Sequence, residues 1–184
     1  APSFYIHKSR SSSGNWHVYH SSLGATKAML LNSSNSVATA IGYWANTEPT
    51  STVLSLGNTF AGTGNGVVYA WSEIEGFSSF GTYIGSGNSN GAFIYTGFRP
   101  AMYFVKNATA SNGWFVYDKL RDGFNGQNDT LSWQSTSAED NTYQQDILSN
   151  GFKVRDSNNA TNQSGQTFIY GAWADVPFKT NNSR

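Results

Sequence analysis

The chain has 184 residues, of which 12% are charged and 15% aromatic; 11 basic and 11 acidic side chains give a formal net charge of zero. Few charges and many aromatics exclude a disordered chain, and the scattered Lys and Arg form no clustered stripe of the kind a nucleic-acid surface needs. Without cysteine there is no disulfide, thiolate metal site or cysteine nucleophile, and no apolar run reaches the ~18–20 residues of a membrane-crossing helix.

Along the chain, alternation with a period of two is the dominant signal. Phe4–Lys8 and Trp16–His20 read as the first strands. In the second, Trp16, Val18 and His20 share one face while His17 and Tyr19 share the other. Residues 24–31 could hold a turn or so of helix. Trp44 follows in GYWANTEPT, then LSLG at 54–57, Asn65-Gly66, and a closing strand at 67–77. Residues 80–100 read as two strands around the Gly/Asn-rich turn GSGNSNG at 85–91. Met102–Lys106 and Trp114–Asp118 then form a pair, with Asn112-Gly113 expected to cap their hairpin through a positive φ. Trp133 lies in LSWQS, residues 137–147 offer a second weak helical turn, LSNG spans 148–151, and a final strand runs over 168–178.

The second half of this list repeats the first. PSFYIHKSRSSSGNWHVYH at 2–20 aligns without a gap on PAMYFVKNATASNGWFVYD at 100–118, LSLG on LSNG, and Trp71/Glu73 on Trp173/Asp175. Such self-similarity marks a duplicated unit. Trp16, Trp114, Trp71, Trp173, Tyr19 and Tyr117 recur in both copies and are assigned to the scaffold. The expected fold is all-β, as tandem β-sandwich units of jelly-roll or lectin-like type. Residues 1–77 form the first repeat and 78–184 the second, complete repeat with a short C-terminal tail. The first lacks a counterpart of 80–100, so it is expected to be N-terminally incomplete, with a bare edge at Tyr5–Lys8. Upstream sequence, the 80–100 segment folding back, or a neighbouring subunit would cover that edge.

Residues without a partner in the other copy are the candidates for contact. Trp44 and Trp133 sit among amide and hydroxyl side chains, as sugar-stacking aromatics do, although each could instead fill a core gap or a subunit contact, and Asn65, Asn88 and Asn90 lie on the loops 58–66 and 85–91. No catalytic residue is assigned. The acidic near-pairs Glu73/Glu75, Asp118/Asp122 and Glu139/Asp140 do not announce a cleft, and no nucleophile elbow, phosphate loop or zinc-protease motif occurs. His17 and His20 point to opposite faces of one strand, so no metal site and no cofactor is expected. Six N-x-[ST] sequons begin at Asn32, Asn107, Asn128, Asn159, Asn162 and Asn181.

The order GTYIGSGNSNGAFIYTGFRPAMYFVK, WFVYDKLRDGFN, DILSNGFKVR and NQSGQTFIYGAWADVPF, with GNWHVYHSSLGATKAMLLN and NTEPTSTVLSLG in the first half, resembles a repeat domain of virion proteins of marine bacteriophages. The resemblance implies a non-enzymatic structural or adhesion protein at the virion surface: a tail fibre, receptor-binding tip or capsid decoration. Other virion proteins and a host-surface glycan would be its partners, and a homo-oligomer, with a trimer favoured, would give multivalent display. A carbohydrate-binding module of a secreted bacterial protein is the alternative.

Overall fold

The computed structural model describes residues 1–60, 64–126 and 129–176. The first half supplies β1 (Pro2–Ser9), β2 (His17–His20), β3 (Lys27–Leu30), β4 (Ala38–Thr39) and β5 (Gly66–Ser72), which form one sheet in the order β4-β3-β2-β1-β5. The second half supplies β6 (Ser78–Ile84), β7 (Phe93–Tyr95), β8 (Pro100–Asn107), β9 (Trp114–Asp118), β10 (Leu131–Ser132), β11 (Gln145–Leu148), β12 (Gly151–Val154) and β13 (Thr167–Ala174). These form a second five-stranded sheet, β10-β9-β8-β13-β6, and a three-stranded sheet, β11-β12-β7. The protein is all-β apart from single helical turns, and every sheet pairing is antiparallel.

The two larger sheets share one register. Tyr5 lies opposite Tyr19 on one side and Ala70 on the other; Tyr103 lies opposite Tyr117 and Ala172. Phe4 likewise faces His20 and Trp71, and Met102 faces Asp118 and Trp173. Alternation then sends equivalent side chains to equivalent faces. Tyr5 stacks on Tyr19 with centroids 4.4 Å apart, under a cover from residues 40–60 that includes Trp44, Leu54 and Phe60. Tyr103 stacks on Tyr117 at 4.9 Å, under the three-stranded sheet, whose Phe152 lies 4.2 Å from Tyr103.

The opposite faces of the two sheets meet each other. Phe4, Ile6, Val18 and Met29 from one pack against Phe80, Phe104, Trp114, Val116 and Ile169 from the other. Full burial of each such side chain contributes roughly 1.5–3 kcal/mol, so the halves share a core that neither sheet could form alone. Polar ties seal the contact. The Trp114 indole N–H donates to Leu30 O at 2.9 Å, Val37 N–H donates to Ala108 O at 2.9 Å, and the buried Lys106 ammonium donates to Ser34 O at 3.2 Å. Burial lowers the Lys106 pKa to about 8.

Close packing fixes the equivalent glycines of LSLG and LSNG. A Cβ on Gly57 would lie 2.1 Å from Gly42 O, and one on Gly151 would lie 2.0 Å from Ile94 O. Only glycine permits backbone to approach backbone so closely.

Several expectations are corrected. Residues 24–31 turn into β3, and residues 137–147 lead into β11, with no helix in either. The α-helical turns are α1 (Lys119–Asp122), capped by the Asp118 carboxylate, and α2 (Asn159–Asn162), capped by Asn158, with a 3-10 turn at Asn58–Phe60. Hydrogen-bonding side chains just ahead of α1 and α2 supply the missing signal. Among the Asn-Gly glycines only Gly126 has a positive φ. In the 148–151 hairpin, Leu148 pairs with Gly151, so Ser149-Asn150 is the turn and the glycine begins β12. β1 is central rather than bare at Tyr5–Lys8, because β2 and β5 flank it. The 80–100 segment adds no strand to the first sheet, since β6 pairs with β13 and β7 with β12. The residues expected in the final strand at 177–178, and the tail beyond, lie outside the described residues.

Candidate functional site

Between the two larger sheets lies a cavity of about 580 Å³ lined by Phe4, Ile6, Trp16, Leu31, Asn32, Trp71, Met102, Trp133 and Trp173. Its walls come from equivalent places in both sheets. Phe4 and Met102 occupy matching positions on β1 and β8, as do Trp71 and Trp173 on β5 and β13. Trp71 and Trp173 meet edge to face with centroids 5.9 Å apart. Leu31 and Trp133 also correspond, since Leu31 N–H donates to Trp16 O and Trp133 N–H donates to Trp114 O.

One asymmetry opens the site. Trp114 is fully buried, whereas its counterpart Trp16 stays half-exposed on the cavity wall and stacks over Tyr69 at 6.5 Å. Four of the six tryptophans line this space. Among the described residues none of those lining it is titratable. Its polar atoms are few. Asn32 Oδ1 accepts from Trp16 N–H and Asn32 Nδ2 donates to Asn15 Oδ1, both at 3.0 Å. The Trp173 indole N–H is buried and without a hydrogen-bond partner. Such a surface can bind an apolar or ring-faced group by dispersion and area burial.

The structure separates the candidates named from sequence. Trp44 is not a surface platform. It is fully buried, packs edge to face on Tyr5 at 4.9 Å, and its indole N–H donates to Lys27 O at 2.9 Å. Burying its large ring under residues 40–60 is what holds that cover on the sheet. Trp133 is half-buried on the cavity wall, 5.1 Å from Phe104. Asn65, Asn88 and Asn90 are exposed, yet none lines the cavity. Asn65 joins the end of β1, its N–H donating to Ser11 Oγ and its carbonyl accepting from Arg10 N–H. Asn88 Oδ1 accepts from Asn90 N–H, while the buried Asn162 amide donates to Asn88 O at 2.8 Å and braces the loop. Residues 61–63 of the other candidate loop lie outside the described residues.

Two further groupings were not read from the sequence. His7 and His17 are cross-strand partners on one face, with rings 6.4 Å apart, while His20 faces the other sheet. Registering the β1–β2 hairpin on the Tyr5/Tyr19 pair would have found them. Burial, then Lys8, lowers the pKa of His7; burial, then His7 and Lys8, lowers that of His17 to about 4. No cluster of three metal-ligating side chains occurs among the described residues. Asp175 pairs with Lys119, while its counterpart Glu73 is exposed. Among the sequons, Asn107 and Asn162 are fully buried, and Asn128 and Asn181 lie outside the described residues.

A protein-family profile, the domain of unknown function DUF7483, matches residues 1–177. The chain belongs to the DUF7483 family. No curated protein and no solved structure matches it. The family match spans both sheets and the cavity between them, so the unit that DUF7483 describes contains both halves.

Proposed function

We propose that this DUF7483 chain is a non-enzymatic structural and attachment protein of a bacteriophage particle, displayed on the virion surface in several copies. Contact with the host surface runs through the tryptophan cavity. The observation that carries the reading is the cavity itself: four tryptophans line it, and none of its described lining residues is titratable. A site so built contributes binding energy and no bond chemistry. The resemblance to phage virion repeats supplies the setting, and repeated weak contacts on an oligomer would supply avidity.

The ligand class follows from the polar inventory. Asn32 brings an amide to walls otherwise made of apolar and indole side chains, and each of its amide atoms already makes one hydrogen bond. The cavity therefore favours a glycan portion that presents a C–H face, a deoxy or acylated sugar, over one ringed by hydroxyls needing partners.

The fold also supports an origin by duplication, in which one sheet-forming module was copied and the copies pack through the same face. Identical register in the two sheets, and matching glycines at 57 and 151, favour this history over chance.

Two measurements test the proposal. Immunogold labelling of intact particles should mark their surface, and unlabelled particles would refute the virion assignment. Trp71→Ala and Trp133→Ala should weaken attachment to adsorbing bacteria by about tenfold, as lost aromatic contacts of ~1–2 kcal/mol require. Unchanged attachment, with the fold intact by circular dichroism, would remove the cavity from the function.

A further inference from the structure

We propose that β5 is an acceptor edge, which takes an added antiparallel strand of the β6 type from another polypeptide segment. β5 ends its sheet, and among the described residues β1 is the only strand beside it. Its seven residues, GVVYAWS, carry no charge and no proline, and Tyr69 is 47% exposed. Proteins guard long edges with charges, prolines, bulges or short strands, because unpaired N–H and C=O groups template further pairing. Two other edges are guarded in this way: β4 and β10 are each two residues long. β5 is long and has neither charge nor proline, and the one register shift in its ladder with β1 lies at the end, between Pro2 and Phe4.

The molecule contains its own template for the occupant. β13 stands in the second sheet where β5 stands in the first, and β6 covers it in register from Thr167↔Ile84 to Trp173↔Ser78. Transferred to β5, this register sets Ser78 opposite Trp71, Ser79 opposite Ala70, Gly81 opposite Val68 and Thr82 opposite Val67. One position must change. Phe80 pairs with Gly171, where an added Cβ would come within 2.9 Å of the Phe80 ring and 2.5 Å of Phe104. β5 carries Tyr69 at that place, so its partner strand has a small residue there. The occupant is thus an uncharged strand of about seven residues, bound mainly through main-chain hydrogen bonds, with a small residue opposite Tyr69. The inference rests on strand register alone and is independent of the virion assignment.

A synthetic peptide of residues 78–84 carrying Phe80→Gly, added to the full chain, is the test. At saturation it should slow amide exchange across residues 66–72 by about tenfold or more, leaving β4 unchanged. The unaltered peptide should bind more weakly, and one N-methylated on alternate amides should not bind. Millimolar peptide without protection of β5, or protection elsewhere, would overturn the proposal. So would concentration-dependent dimerisation that protects β5 and that the peptide cannot displace, because a second copy would then be the occupant.

Discussion

His20 Nε2 lies 3.0 Å from Tyr170 O, joining β2 of one sheet to β13 of the other. A carbonyl only accepts, so the ring carries its proton on Nε2, and Nδ1 accepts from Ser22 N–H at 3.2 Å. Both nitrogens are used by the neutral ring. Burial accordingly pushes the His20 pKa down from 6.5 to about 4, against the smaller upward pull of the Tyr170 bond.

That relationship predicts an acid-sensitive contact between the sheets. The fold prefers neutral His20, so its contribution is complete above pH ~6.5 and fades as the pH falls towards 4, by up to about 3 kcal/mol. His17, also held at about 4, acts in the same direction. His20→Gln, which keeps a donor for Tyr170 O, should flatten the difference in urea stability between pH 7 and pH 4.5. Equal slopes for the two proteins would show that His20 does not report on the interface.

The tryptophan pair Trp16 and Trp114 should respond unequally to the same substitution. Trp114→Phe removes the indole bond to Leu30 O and leaves a void in a fully buried site, at about 2–3 kcal/mol. Trp16→Phe, on the half-exposed cavity wall, should cost less than ~1 kcal/mol. Urea melts of the two variants give the comparison.

Trp44→Ala should destabilise the chain by about 3–5 kcal/mol, the range for emptying a large aromatic site in a core. Its ring also lies near Phe60 and Tyr43, so exchange protection should fall first across residues 40–60. A variant with wild-type stability would return Trp44 to the surface.

The stacked tyrosines offer a paired test within one core. Tyr103 Oη is buried without a partner, whereas Tyr117 O–H donates to Tyr143 O at 3.1 Å. Tyr103→Phe should leave stability unchanged or raise it by about 1 kcal/mol, a gain of roughly 2–4 °C in Tm. Tyr117→Phe should lower it by a similar amount. Calorimetry of both proteins checks the sign of each.

Adding a methyl group at Gly57 or Gly151 tests whether the two covers are built alike. Each Ala variant drives a Cβ into a backbone carbonyl, which no side-chain rotation relieves. Both should lose several kcal/mol, and a large loss in only one would break the correspondence.

Much of this was legible in the residues themselves. Strand faces follow from alternation, which is why Tyr5 and Tyr19 fall on one side and Ile6 and Val18 on the other. The matching segments 2–20 and 100–118 gave equivalent strands, because register between neighbours depends on local pairing and turn length. Helical turns were misplaced because a four-residue helix has no periodicity to read, only a cap. Trp44 stayed open between contact and core, because polar neighbours in sequence do not reveal a ring that turns inward beneath them.

The amino-acid order by itself determined the all-β class, the strand faces and the paired segments, since these depend on contacts a few residues apart. Which face of each sheet meets the other, where Trp16 and Trp114 part company, and which edge stays open were decided only in three dimensions. Those outcomes depend on packing between residues such as Trp71 and Trp173, about a hundred positions apart, whose approach no local pattern encodes.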